Sequence, residues 1–302
     1  MEKELKLRDD EILVKTHRAS ICGTDKMMFR GELVREPYPI FFGHEGGGTV
    51  EAVGPRVHIY KPGDRVMSFA RHNTFADYFV ARERSLQPVP SRMDMKVACL
   101  GEPLGCAMFS VLSSGVQLGD YVAVIGAGFA GQVMVQGAKK KGAYKVIAID
   151  PVQGKLDLAL RTGADYALNP ATASVREEIQ KITQGRGVDV VFEAAGTEAS
   201  LNLATEIVKH NGILVLYSWI VQKVTLDISR WHHDGLDIRT TCLVHHSVHE
   251  RFIWAKGALR PVLQGMIDVE PLLSAEFSLD RIQEAFEAIE GNPQLVKVVI
   301  KP

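Results

Sequence analysis

Two groups of residues in this chain are of types that do chemistry. One is a glycine-spaced turn, Gly126-Ala127-Gly128-Phe129-Ala130-Gly131, with Asp150 19 residues after its last glycine. Gly126 allows a tight turn, Gly128 lets the backbone approach a pyrophosphate, and Gly131 lets helix and strand pack closely. Phe129 and Ala130 open a helix whose unpaired N–H groups and positive dipole end face phosphates. Asp150 would accept hydrogen bonds from both hydroxyls of an adenosine ribose and would repel a 2′-phosphate, which favours NAD. The bland alternative is an ordinary strand–helix turn.

The other group is Cys22, the pair His44-Glu45, and Glu102. A thiolate, an imidazole and one or two carboxylates suit zinc, and a catalytic zinc keeps one position for water or substrate. Asp25 is placed to hold the second ring nitrogen of His44. The gaps between these residues are long, so spacing leaves two readings open: metal ligands, or a buried cysteine acting as a small hydrophobe.

The elements that must position these residues change character along the chain. The first hundred residues are short strands with frequent turns, from 11–17 through 49–54 and 75–80, and predict a partly open barrel or sandwich. Residues 36–48 read as a loop, and 111–119 as a helix. From Tyr121 strands at 122–125, 145–149, 188–192, 213–217 and 238–244 alternate with helical segments, the pattern of a doubly wound parallel sheet. A helix over 252–263, another over 281–289 and a strand over 296–300 have no place in that sheet. They are expected to return to the first domain and make it discontinuous.

Composition narrows the function classes. The 302 residues are 46% hydrophobic and 24% charged with a net charge of −1, which points to no nucleic-acid partner and no membrane surface. No apolar run reaches the roughly 18–20 residues of a spanning helix. The charged first residues do not resemble a signal peptide, and Cys22, Cys99, Cys106 and Cys242 form no CxxC. Reduced thiols in a cytoplasmic protein are the expectation.

The motifs Cys22-Gly23-Thr24-Asp25, Gly43-His44-Glu45-Gly46, Pro62-Gly63-Asp64-Arg65-Val66, Glu102-Pro103-Leu104 and Gly126–Asp150 occur in this order. Over nearly its whole length the chain resembles the zinc-dependent medium-chain dehydrogenase/reductase superfamily. Glu102-Pro103-Leu104 is similar to the sorbitol and threonine dehydrogenase branch, where a glutamate replaces a cysteine. The resemblance implies a GroES-like catalytic domain at 1–112 and 247–302, and a Rossmann NAD-binding domain at 113–246. It implies Cys22, His44 and Glu45 as ligands of one catalytic zinc, with Glu102 a fourth ligand or a neighbour exchanging with water. Lys297 resembles a basic position that in relatives reaches the cofactor phosphates; an ordinary exposed lysine is the equal alternative.

The implied reaction is hydride transfer between a secondary alcohol (a polyol, sugar or related molecule) and NAD, reversible to a ketone. Zinc can lower a bound water's pKa from about 16 to about 7, roughly 9 units or about 12 kcal/mol. A hydrogen bond to a charged group is worth about 1.5–3 kcal/mol, so the metal should dominate and Thr24 should serve as a relay hydroxyl. The alternative for Thr24 is a turn residue bonding its own backbone.

Three features depart from the family pattern. Met27 stands where relatives extend the relay with histidine, no four-cysteine lobe holds a structural zinc, and the chain begins about twenty residues late. Five histidines between 232 and 249 are read chiefly as loop or interface groups, with His245 or His246 a substrate contact at the return crossover. Relatives pair the edges of their nucleotide sheets, so a homodimer or homotetramer through 213–244 is expected. Two rivals stand beside this reading. One is a zinc-free enone or quinone reductase of the same fold, and the other a catalytically silent nucleotide-binding protein.

Overall fold

The computed structural model describes residues 6–33, 40–70, 73–243 and 257–302. They form two compact units. The first takes residues 6–105, 257–263 and Leu273–Pro302, and the second takes 106–243 and Gln264–Leu272.

In the first unit, nine-residue β1 (Ile12–Ser20) is the central strand. It pairs antiparallel with β2 (Glu45–Val53) along its length, and β2 continues to β3 (Arg65–Ser68) and β5 (Leu86–Pro88). The other edge of β1 is shared. Its first half takes β4 (Tyr78–Ala81), and its last two residues take the C-terminal strand β13 (Lys297–Lys301), which pairs parallel with β12 (Leu273–Ser278). Alternation of apolar side chains along β1 sends Ile12 and Val14 into a core with Val50, Val66, Phe79 and Leu86. Ala19 and Ile21 enter a second core with Phe286, Val298 and Ile300.

The glycines at 46–48 are not a loop, as the sequence suggested, but the opening of β2. A Cβ at Gly48 would stand 1.9 Å from the Lys15 carbonyl oxygen, so these residues let two strands approach closely. Glu45 therefore sits at the first position of a strand, held by its ladder.

The second unit is a six-stranded parallel sheet in the order β11-β10-β9-β6-β7-β8. The strands are β6 (Tyr121–Ile125), β7 (Lys145–Ile149), β8 (Tyr166–Leu168), β9 (Val188–Glu193), β10 (Val208–Leu216) and β11 (Asp237–Thr240). Aliphatic runs buried on both faces fill one core, including Ile125, Ile147, Ile149, Val191 and Leu214. Strand β8 is a surprise: three residues paired with β7, too short to carry a period. The helix expected at 111–119 runs instead from Gly101 to Ser113, with Pro103 in its first turn, where a missing N–H costs nothing.

One domain expectation is corrected. Residues 264–272 do not return to the catalytic unit with the rest of the tail. The Gln136 amide donates to the Asp268 carbonyl at 2.9 Å and accepts from the Asp268 N–H at 2.7 Å, while Ile267, Val269 and Leu272 are buried. These contacts tie the segment to the helix Phe129–Lys140. The substrate contact expected at His245 or His246, and residues 252–256 of the expected 252–263 helix, lie outside the described residues; residues 257–263 are helical as expected.

Candidate active site

Cys22 lies two residues past the end of β1 and immediately precedes the helix Gly23–Phe29, while His44 and Glu45 stand at the entry to β2. Because β1 and β2 are antiparallel, with Ser20 opposite Glu45, the end of one strand meets the start of the other. The Cys22 sulfur, a ring nitrogen of His44 and a carboxylate oxygen of Glu45 all lie within 4.8 Å of one another.

Asp25 holds the two segments together. One carboxylate oxygen accepts from the Cys22 N–H at 2.9 Å; the other accepts from the Gly43 N–H at 3.3 Å and lies 3.5 Å from His44 Nδ1. That leaves His44 Nε2 as the donor toward a metal. Burial disfavours the imidazolium, but the facing Cys22 and Asp25 charges outweigh it and hold the His44 pKa well above its ordinary value. A cation arriving in the trio would take the place of that proton.

Glu45 is completely buried. Its Oε2 accepts from the Ser20 hydroxyl and, at 2.6 Å, from the Lys297 ammonium. Its Oε1 is buried and has no hydrogen-bond partner among the described residues, a state it shares only with Thr16 Oγ1. Such an oxygen is costly unless something else satisfies it. A thiolate, an imidazole and a bare carboxylate oxygen form a donor set that fits zinc.

Lys297 requires a correction. Expected to reach cofactor phosphates, it is only 4% exposed, and its ammonium also donates to the Ile21 carbonyl at 3.2 Å. Burial opposes its charge, yet Glu45 and then Cys22 overcome this and raise its pKa. The physical reason is register. Pairing of β13 with the end of β1 delivers Lys297 to the Glu45 side chain, and a buried ammonium beside a buried carboxylate has its partner already.

Thr24 lies half-buried in the first turn of the helix that Cys22 precedes. Glu102, half-buried in the first turn of Gly101–Ser113, stands outside the 4.8 Å trio. His233, on the short helix Ser229–His233, is exposed, with Nδ1 2.6 Å from Asp234.

In the second unit the three glycines of the turn meet three different steric situations. Gly126 has φ +94°, and a Cβ at Gly131 would fall 1.8 Å from the Gly126 carbonyl oxygen. A Cβ at Gly128 would meet nothing within 4 Å, so the backbone there is open to a ligand at the start of the twelve-residue helix Phe129–Lys140. Asp150 accepts from the Ala127 N–H and the Val152 N–H, both at 2.8 Å, and thereby fixes the turn to the end of β7.

Sequence reading missed Ser20, whose type and position gave no signal before β1 and β2 were paired. It also missed Glu193, a buried acid closing β9; an acid at the end of the apolar run 188–192 was a signal that could have been used.

Residues 8–91 match the alcohol dehydrogenase GroES-like domain, and residues 130–255 match the zinc-binding dehydrogenase family. The chain belongs to the zinc-dependent medium-chain dehydrogenase/reductase superfamily. It is 28% identical to L-threonine 3-dehydrogenase of Pyrococcus horikoshii, over 93% of this chain and 88% of that protein. It is 27% identical to sorbitol dehydrogenase of Bacillus subtilis, over 98% and 91%. Among solved structures, galactitol-1-phosphate dehydrogenase from Escherichia coli superposes with a TM-score of 0.87 at 25% identity, covering 99% of this chain and 94% of that one. The fold expected from the sequence, a Rossmann sheet plus a GroES-like domain, is the one observed. A hydride-transferring alcohol dehydrogenase is the activity these likenesses support. Among the described residues no helix is long and apolar enough to cross a membrane.

Proposed function

We propose that this dehydrogenase oxidises a secondary hydroxyl of a polyol, sugar or related small molecule with NAD, using one zinc ion held by Cys22, His44 and Glu45. The observation that carries the reading is the buried, partnerless Oε1 of Glu45 beside the Cys22 sulfur and the His44 ring. Zinc bound there would supply a Lewis acid that makes the substrate hydroxyl acidic, and NAD would supply the acceptor for the carbinol hydrogen.

The chain's own residues do the rest. Ser20 and Lys297 occupy Glu45 Oε2, so only Oε1 is offered to the metal. Asp25 fixes the His44 ring and the Cys22 backbone. Thr24, two residues past the ligand cysteine, passes the hydroxyl proton outward. Met27 cannot extend that relay, so solvent takes it over. Glu102, standing outside the trio, is a neighbour that exchanges with water rather than a fixed ligand.

The turn from Gly126 to Gly131, including Phe129 and Ala130, receives the pyrophosphate, and Asp150 the adenosine ribose. Its carboxylate repels a 2′-phosphate, and Pro151 and Val152 offer no cation beside it, which supports NAD over NADP. Four free cysteines support a reducing, cytoplasmic setting. The edge strand β11 supports assembly as a homodimer or homotetramer. The sorbitol, threonine and galactitol-phosphate relatives support a polyol-like substrate.

Elemental analysis of protein purified without chelator, combined with a polyol panel followed by NADH absorbance, tests this directly. Close to one zinc per chain with turnover is expected. Activity without zinc would favour a metal-free reductase, and NADP used as well as NAD would refute the Asp150 assignment.

A further inference from the structure

Glu193 closes β9 and is completely buried. Its Oε1 accepts three hydrogen bonds, from the Ala195 N–H at 2.9 Å, the Gly196 N–H at 2.7 Å and the Ser200 hydroxyl at 2.7 Å. Its Oε2 accepts from the Ser218 hydroxyl, two residues beyond the end of β10. Backbone bonds run beside this link, since the Tyr217 and Ser218 N–H groups donate to the Glu193 carbonyl at 3.1 and 3.3 Å. One carboxylate thus fastens the loop after β9 to the loop after β10. Packing alone would be served by an apolar residue, with no charge to desolvate.

The location says what the fastening is for. Chain order runs outward from β6 through β7 to β8, then returns to run the other way through β9, β10 and β11. The reversal falls between β6 and β9, and ligands of open α/β sheets bind outside the carboxyl ends of the strands there. The clamped loop also forms a wall of the glycine turn. A Cβ at Gly126 would meet the Ala194 carbonyl carbon and the Ala195 nitrogen at 2.9 Å, and the Ala194 N–H donates to the Ile125 carbonyl at 2.8 Å. With Asp150 taking the adenosine end over β7, the other half of a dinucleotide extends over β9 and β10.

We propose that Glu193 is a positioning residue for the nicotinamide half of the cofactor, locking the 194–196 and 217–219 loops together before the cofactor arrives. The inference rests on the dinucleotide reading above. Locking the loops in advance spares binding the cost of ordering them.

Two ligands separate the halves, NADH and ADP-ribose, which shares the pyrophosphate and both riboses but lacks the nicotinamide. Ser218→Ala removes only the side-chain bond between the loops and leaves all three donors on Oε1 and the backbone bonds in place. Losing a hydrogen bond to a charged group should raise its Kd for NADH about tenfold, with ADP-ribose affinity within roughly twofold of wild type. In Glu193→Gln the amide oxygen can still accept the three donors and the NH2 can donate to Ser218, so NADH affinity should stay within about threefold. If Ser218→Ala binds NADH like wild type, or loses NADH and ADP-ribose alike, the inference falls. If the wild-type protein binds neither ligand, the dinucleotide reading itself fails and takes the inference with it. Direct titration by calorimetry gives these affinities without any turnover.

Discussion

The site at Cys22, His44 and Glu45 and the turn at Gly126–Gly131 are built on opposite plans. The first is made of side chains from three stretches of sequence, with a carboxylate and an ammonium buried together and one oxygen left bare. The second is made of backbone from one continuous stretch, where the side chain is missing because there is no room or because a ligand needs the space. A side-chain site concentrates its chemistry in a few replaceable atoms, so one substitution can abolish function while the fold survives. A backbone site spreads its function over N–H groups that only a proline substitution removes. It is damaged mainly by adding atoms.

Cys22→Ser should break the first plan most sharply. Zinc content should fall close to zero and turnover by about a thousandfold or more, given how much of the acidity of the hydroxyl the metal supplies. NADH binding, measured by fluorescence titration, should be unchanged. A variant that keeps its zinc would refute the ligand assignment.

Lys297→Met comes next. It strands a buried carboxylate without its cation, which costs about 3–5 kcal/mol. Urea denaturation should show that loss, and a cost near zero would mean the Lys297–Glu45 pair is not the buried pair described here.

The glycine turn should give two different answers. Gly131→Ala forces a methyl against the Gly126 carbonyl and should destabilise the protein by roughly 1–3 kcal/mol. Gly128→Ala meets open space and should leave stability within about 0.5 kcal/mol while weakening NADH binding. Equal behaviour of the two in denaturation and titration would erase the distinction drawn between them.

The smallest effect concerns Tyr60, which donates to the Leu86 carbonyl at 2.9 Å in the core of the first unit. Burial, then the Glu83 and Asp64 charges, push its pKa up from 10.0 to about 12. A raised folded-state pKa gives stability that is complete below pH 10 and is lost as pH rises toward 12. Tyr60→Phe should cost about 1 kcal/mol at neutral pH. The gap to wild type should close between pH 10 and 12, read by denaturation at both ends.

The two plans also differ in how legible they were. The glycine turn, its flanking strands and Asp150 could be read because backbone demands repeat at fixed spacing in one stretch. Cys22, His44 and Glu45 could be singled out by residue type, but only the resemblance to known dehydrogenases grouped them. Lys297 was assigned the wrong anion because nothing in residues 296–300 says that this strand ends beside β1. Segment 264–272 was placed in the wrong unit because one glutamine amide, 132 residues away, decides where it packs.

The sequence by itself determined the two architectures, the glycine turn and the inventory of ligand types, because periodicity, turn chemistry and short-range spacing are local properties. Only the tertiary structure decided that Glu45 keeps one oxygen bare, that Lys297 and Ser20 hold the other, and that Glu193 joins two loops. Each of these depends on which strands lie side by side and in what register, and pairings between distant segments leave no mark at either residue alone.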